Sequence, residues 1–148
     1  MEFFSTDFLK NDEIKLVLAK VSEGNPDKSW VPAYHFNICD NNENKVGACD
    51  LRIGYNEGLY YGGHIGYAVD TEYRGHRYAA KACRLLFLLA QKHGMKYLYI
   101  TRNPDNHASK RTCEHLGGEY LGTFELPEDN DMRIEDGETH KCIFRFTI

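Results

Sequence analysis

The chain is poor in several things, and each shortage removes a class of protein. Its longest uninterrupted apolar stretch is LLFLLA at 85–90, far short of the ~18 residues that a membrane-spanning helix needs, so no membrane association is expected. None of the five cysteines (Cys39, Cys49, Cys83, Cys113 and Cys142) has a C-x-x-C partner, and no signal-peptide pattern precedes them. An odd count without such spacing reads as free, mostly buried thiols in a cytoplasmic chain, with no metal site. A basic surplus is missing too: 18 Lys and Arg stand against 22 Asp and Glu, a net charge of -4. Nucleic-acid-binding domains usually carry the opposite balance, so no nucleic-acid partner is expected and any anion site must be local. Neither G-x-G-x-x-G nor G-x-x-x-x-G-K-[ST] occurs, which removes the two commonest nucleotide-phosphate fingerprints. Repeats, low-complexity tracts and long linkers are also absent.

What is present suits one globular domain over residues 1–148. Hydrophobic residues make up 42% and charged residues 27%, and a chain of this length buries enough surface to fold without staples. Alternating apolar residues predict strands at 13–21, 30–40, 45–54 and 64–69, with NNEN as the turn of a hairpin and YNEGLYYGG as a glycine-bearing loop. Tyr78, Ala82, Leu85, Leu86 and Leu89 recur at helical spacing, and Gly94 follows as a stop. A strand at 96–101 and a helix over 107–116, with Asn106 placed to cap it, come next. EYLGTFEL and KCIFRFTI close the chain as strands around an exposed acidic loop. The order β-β-β-β-α-β-α-β-β predicts an α+β domain with a mixed, mostly antiparallel sheet of about seven strands and helices on both faces. Its central strand-helix-strand unit calls for a parallel neighbour pair.

One stretch stands out against the acidic background: VDTEYRGHRYAAKA at 69–82. A strand runs into a short basic turn and straight into a helix. A helix start offers unpaired N–H groups and the positive end of the dipole, and a tight turn before it curls further N–H groups into an anion nest. Gly75 and Ala79 keep bulk out, while Arg74 and Arg77 add charge that reaches phosphate. A pyrophosphate fits such a turn; so does plain solvent around a basic loop.

Here the chain resembles the GNAT-type N-acetyltransferase superfamily, in particular a branch of small bacterial members. That family's signature [Q/R]-x-x-G-x-[G/A] matches Arg74-Gly75-His76-Arg77-Tyr78-Ala79, after a strand end at Val69 to Tyr73. Its second signature, N-x-x-[A/S], matches Asn106 to Ser109, and the helix ends in Leu116-Gly117-Gly118. The resemblance covers about residues 60–122. It implies acetyl-CoA as co-substrate and direct attack by the primary amine of a small molecule or peptide; it allows a homodimer. Backbone around Tyr67, Ala68 and Val69 would hold the pantetheine arm where the strand splays from its neighbour. The N–H groups of His76, Arg77, Tyr78 and Ala79 would hold the pyrophosphate, and Asn106 and Ser109 would steady the arm. A non-catalytic acyl-CoA binding or sensing domain is the alternative.

The sequence departs from the family in places that matter. Arg77 stands where Gly is usual; if that position needs φ > 0, arginine carries a backbone cost of about 1 kcal/mol. Cys113 stands where many relatives place a tyrosine that protonates the leaving thiolate. The segment 22–29 leaves no room for the helices that usually follow the first strand. No catalytic residue is assigned. His64, on the fourth strand, is a weak candidate for the base, with Ile65 and Gly63 occupying the positions that relatives use. Cys113 is a weak candidate for the acid. Asp50 and Arg52 share a strand face; they bind an acceptor or pair with neighbouring charges.

Overall fold

The computed structural model describes residues 1–148. Seven strands form two antiparallel sheets. β1 (Ile14–Ser22), β2 (Ala33–Asp40), β3 (Lys45–Arg52) and β4 (Ile65–Val69) make a meander in that order. β5 (Tyr97–Arg102), β6 (Glu119–Glu125) and β7 (His140–Thr147) make the second sheet, with β7 in the middle. Between them run α1 (Glu57–Gly62), α2 (Tyr78–Lys92), α3 (His107–His115) and α4 (Asp131–Asp136).

The parallel pair expected between β4 and β5 is not a ladder. The two strands are edges of different sheets and touch at one main-chain hydrogen bond, from His64 N–H to the Tyr99 carbonyl at 2.8 Å. Beyond it they diverge. The α+β sheet of seven strands is therefore split in two, with a seam that opens along β4.

Both long helices form for reasons legible in their residues. α2 buries Ala80, Ala82, Cys83, Leu85, Leu86, Leu89 and Ala90, one continuous stripe at spacings of three and four. It packs on β1, β3 and β4. Gly94, at φ 81°, ends it in the left-handed conformation that disfavours side chains. α3 starts where the Asn106 carboxamide accepts from the Ser109 N–H at 3.1 Å, as its cap position predicts. One core cluster of 23 buried residues draws on both sheets and both helices, from Leu16, Phe36 and Ile38 to Leu98, Ile100, Phe144 and Phe146. All five cysteines are free and buried.

α1 and α4 fall in segments expected to be loops. Each is a six-residue helix, too short for a hydrophobic period to show. α1 lies across β5 on the side away from the core: Leu98 and Ile100 face inward, while Tyr99 meets Tyr60, and the Thr101 hydroxyl donates to the Tyr61 carbonyl at 2.8 Å. With α2 packed on the inner side, helices occupy both faces. Between β1 and β2 there is only a single 3-10 turn, Pro26–Lys28, so nothing covers the outer face of the four-stranded sheet.

No helix is long and apolar enough to cross a membrane.

Candidate active site

The basic turn lies at the mouth of a cleft of about 570 Å³ between the starts of α2 and α3 and the free edge of β4. Its main-chain polarity is unusual. The N–H groups of Gly75, His76, Arg77, Tyr78, Ala79 and Ala80 donate to no acceptor in the protein. The last three are the open first turn of α2, which has no side-chain cap. Gly75 and Arg77 create the rest by taking left-handed conformations, at φ 94° and φ 59°. A Cβ on Gly75 would meet nothing within 4 Å, so glycine is required there by conformation and not by space. Arg77 adopts the strained geometry that its family position implies. Consecutive N–H groups curled around a helix start form an anion site of the kind that holds phosphate oxygens.

The side chains add positive charge. Arg74, Arg77, Arg111 and His115 all line the cleft. Arg77 lies 3.4 Å from the His115 ring, and its charge, followed by burial and Arg84, holds His115 below the usual histidine pKa. Arg74 is turned back onto the strand end, its Nε donating to the Val69 carbonyl at 3.3 Å. Lys81 braces the turn from behind, donating to the His76 carbonyl at 2.9 Å and pairing with Glu13.

Along β4 the polarity is set by strand alternation. The Asp70 N–H donates to the Val46 carbonyl of β3, and the Arg52 N–H of β3 donates to the His64 carbonyl, so the residues at even positions of β4 point their main-chain groups at β3. Those of Ile65, Tyr67 and Val69 point the other way, into the seam, where β5 supplies no ladder. Tyr67 sends its ring inward instead. Its hydroxyl is 2.7 Å from the Ser109 hydroxyl of α3, and burial raises its pKa far above that of a free phenol. Cys113 sits behind these two hydroxyls, fully buried, its thiol pushed up to about 11 by burial. It stays protonated at neutral pH and does not line the cleft.

His64 is equally withdrawn. It is 0% exposed. Its Nδ1 accepts from the Tyr99 N–H at 3.0 Å, and its Nε2 lies 2.8 Å from the Gly54 carbonyl. These partners fix the neutral tautomer with the proton on Nε2, and burial lowers the pKa. Both nitrogens are spent on the seam between the sheets. Of the residues singled out in the sequence, Tyr67, Ala68, Val69, Arg74, Gly75, Arg77, Tyr78, Ala79, Asn106 and Ser109 converge on the cleft. His76 contributes its N–H to the same turn. The seam hydroxyl of Tyr67 had no sequence signal as a polar partner of α3, because the contact spans 42 positions.

A strand splayed from its neighbour, followed by unpaired N–H groups at a helix start, is the arrangement that the resemblance to the GNAT acyltransferases implies. Residues 2–119 match the model of the acetyltransferase (GNAT) domain, and the chain belongs to that family. Among solved structures it is similar to the microcin C7 self-immunity acetyltransferase MccE, determined with acetyl-CoA and AMP (TM-score 0.62, 19% identity, covering 78% of this chain and 61% of that one). It is also similar to RimL, the ribosomal L7/L12 alpha-N-protein acetyltransferase, determined with coenzyme A (TM-score 0.60, 19% identity, 78% and 62%). A third is the ribosomal-protein-S5-alanine acetyltransferase of Vibrio fischeri (TM-score 0.60, 18% identity, 78% and 61%). At these identities the likeness is one of fold, and this chain spans only about three-fifths of their length. No curated protein matches the sequence.

Proposed function

We propose that this chain is an N-acetyltransferase that moves the acetyl group of acetyl-CoA to a primary amine by direct attack on the thioester. The observation that carries the reading is the run of six unpaired N–H groups from Gly75 to Ala80 at the mouth of the cleft. Bound acetyl-CoA supplies an activated acyl group; the chain supplies the rest. The N–H run, with Arg77 and Arg111 beside it, binds pyrophosphate oxygens. The outward main-chain groups of Tyr67 and the N–H of Val69, whose carbonyl Arg74 holds, offer an extended ligand the pairing that β5 does not. Main-chain donors at the same edge stabilise negative charge on a carbonyl oxygen. The Tyr67 and Ser109 hydroxyls, 2.7 Å apart, hold a proton where the cleft meets β4. MccE, RimL and the Vibrio fischeri enzyme are described as acetyltransferases, two of them for ribosomal proteins. An amine on a peptide or small molecule is the corresponding acceptor here.

The test has two stages. Acetyl-CoA at millimolar concentration should raise the melting temperature by several degrees, as any ligand of the native state well above its Kd does, and Arg74→Ala should reduce the shift. No stabilisation overturns the reading. Thiol release is then followed over polyamines, amino acids, aminoglycosides and peptide N-termini. A second reading, a non-catalytic acyl-CoA sensor, is favoured by one observation: His64 and Cys113 are both withdrawn from the cleft. It expects the thermal shift without thiol release from any amine.

A further inference from the structure

A second cavity, a groove of about 450 Å³, lies against the outer face of the four-stranded sheet. Phe36, Cys49 and Tyr67 turn their side chains inward to the core, so by alternation their strand neighbours His35, Asp50 and Gly66 face outward. The register sets these side by side: Lys20 opposite His35, His35 opposite Asp50, Asp50 opposite Gly66. The face is open because the connection from β1 to β2 holds one 3-10 turn and no α-helix to cover it.

The centre of the row is Asp50. Its Oδ1 accepts from the Gly66 N–H at 3.1 Å and from Arg52 at 3.0 Å. Its Oδ2 has no donor in the protein and is not a buried orphan, so it stands open to the groove that Asp50 lines. Gly66 makes the arrangement fit. A Cβ there would lie 3.1 Å from Oδ1 and 3.2 Å from Oδ2, so a side chain would make the carboxylate shift by a few tenths of an ångström. A negative charge is thus laid over β4 from the neighbouring strand, one residue from Tyr67.

The groove and the cleft of the anion nest share two lining residues, Tyr67 and Ala68 of β4. A transferase needs two ligands that meet at one point, and these are the residues the two cavities have in common. We propose that the groove receives the acceptor and that Asp50 Oδ2 holds its primary ammonium group. The inference rests on the acetyltransferase reading for its purpose, though not for its geometry. The surrounding charge narrows the acceptor. Arg52 already shares Oδ1, and Lys20, two strands or about 10 Å away, makes no ion pair. With Asp50 as its one carboxylate, Lys20 in its lining and Arg52 bonded to Asp50 from beside it, the groove repels a polycation and accepts a monoamine whose remainder is neutral or acidic.

The experiment measures binding by calorimetry with four probes: acetyl-CoA, a short acidic peptide with a free N-terminus, the same peptide N-acetylated, and spermidine. The free peptide should bind the wild type in preference to spermidine, and the acetylated peptide at least tenfold more weakly. Asp50→Asn should weaken the free peptide at least tenfold and leave acetyl-CoA binding unchanged. Gly66→Ala keeps Asp50 and shifts its carboxylate only slightly, so it should weaken the free peptide less than Asp50→Asn does. Lys20→Glu should shift the preference toward spermidine. Free-peptide binding that is absent from the wild type, unchanged in Asp50→Asn, or equal for the acetylated peptide overturns the assignment. Spermidine binding at least as tightly as the free peptide overturns the charge argument. A wild type that binds the free peptide through Asp50 but not acetyl-CoA sinks the acetyltransferase reading and leaves the amine site standing.

Discussion

His64 and Tyr99 are bonded twice: the His64 N–H donates to the Tyr99 carbonyl at 2.8 Å, and the Tyr99 N–H donates to His64 Nδ1 at 3.0 Å. A side chain thereby takes over, at one point, the role of a strand partner. The pair marks where two sheets stop being one, and the ring's other nitrogen ties the Gly54 carbonyl to the same point.

Replacing His64 should cost stability and not ligand binding. His64→Ala leaves a buried donor and a buried acceptor unpaired and opens a cavity, together about 3 kcal/mol or more. A domain of this size should then melt roughly 6–12 °C lower. His64→Phe keeps the ring volume and loses only the hydrogen bonds, so it should fall between Ala and wild type. Thermal melts of the three proteins, with acetyl-CoA titrations on the folded variants, check this. A drop in turnover at unchanged stability would instead make His64 a catalytic group.

The same ring makes stability depend on pH. Burial lowers the His64 pKa, and burial with the Lys92 charge lowers that of His93, whose Nε2 lies 2.6 Å from the Tyr34 hydroxyl. Below an unfolded pKa of about 6.5 the unfolded chain therefore binds more protons than the native one. Stability should be level above that pH and fall as pH drops from there toward the depressed native values. Urea midpoints between pH 8 and pH 5 measure the slope, which should be shallower in His64→Phe.

Arg77 is a case of charge set against backbone strain. It holds φ 59° with no side-chain cap bond, a conformation that costs a residue with a Cβ about 1 kcal/mol. Arg77→Gly should raise the melting temperature slightly and weaken acetyl-CoA binding several-fold. Arg77→Ala keeps the strain and loses the charge, so it should weaken binding equally without the stability gain. Melts and calorimetry on both variants separate the two effects; equal melting temperatures would remove the strain argument.

His115 offers a reporter for the cleft. Arg77, then burial and Arg84, depress its pKa. A bound phosphate group offsets that positive field, so coenzyme A should raise the His115 pKa. Arg77→Ala should raise it as well, without ligand. Ring-proton NMR shifts followed over pH read both; a pKa unmoved by saturating coenzyme A would put the phosphates elsewhere.

Asn106 has a structural role that must be separated from any ligand role. Its carboxamide caps α3 through the Ser109 N–H, worth about 1 kcal/mol. Asn106→Asp keeps a capping oxygen and brings a negative charge to the cleft. It should melt near the wild type but bind acetyl-CoA more weakly, whereas Asn106→Ala should lose on both counts. Equal affinity in all three proteins would place Asn106 outside the ligand site.

How much of this was legible varies with the range of the interaction. α2 and α3 were readable because their signals are local: a stripe at spacings of three and four, Asn106 before the first turn, Gly94 after the last. α1 and α4 carry the same capping signal, with Asn56 accepting from Leu59 and Asn130 from Met132. Their six residues hold too little periodicity to confirm it, and Gly58 and Gly62 look like turn residues. The basic turn at 74–79 was readable as a candidate anion site because its glycine, its arginines and the helix start are contiguous. The Asp50 and Arg52 pair was readable only as two charges on one face; that they bond to each other, and that Gly66 opens space for the carboxylate, depends on strand register.

By itself, the sequence determined which segments become strands and long helices, and that one basic turn stands at a helix start in an otherwise acidic chain. These follow from propensity, period and capping, which act over a few residues. The tertiary structure decided that β4 and β5 part after His64, that Arg77 takes the left-handed conformation, and that Tyr67 reaches Ser109 instead of solvent. It also set Asp50 over Gly66, in a groove that shares Tyr67 and Ala68 with the cleft. Each of these depends on residues far apart in the chain being packed against one another. No local pattern specifies which edge of a sheet is left unpaired or which side chain a glycine makes room for.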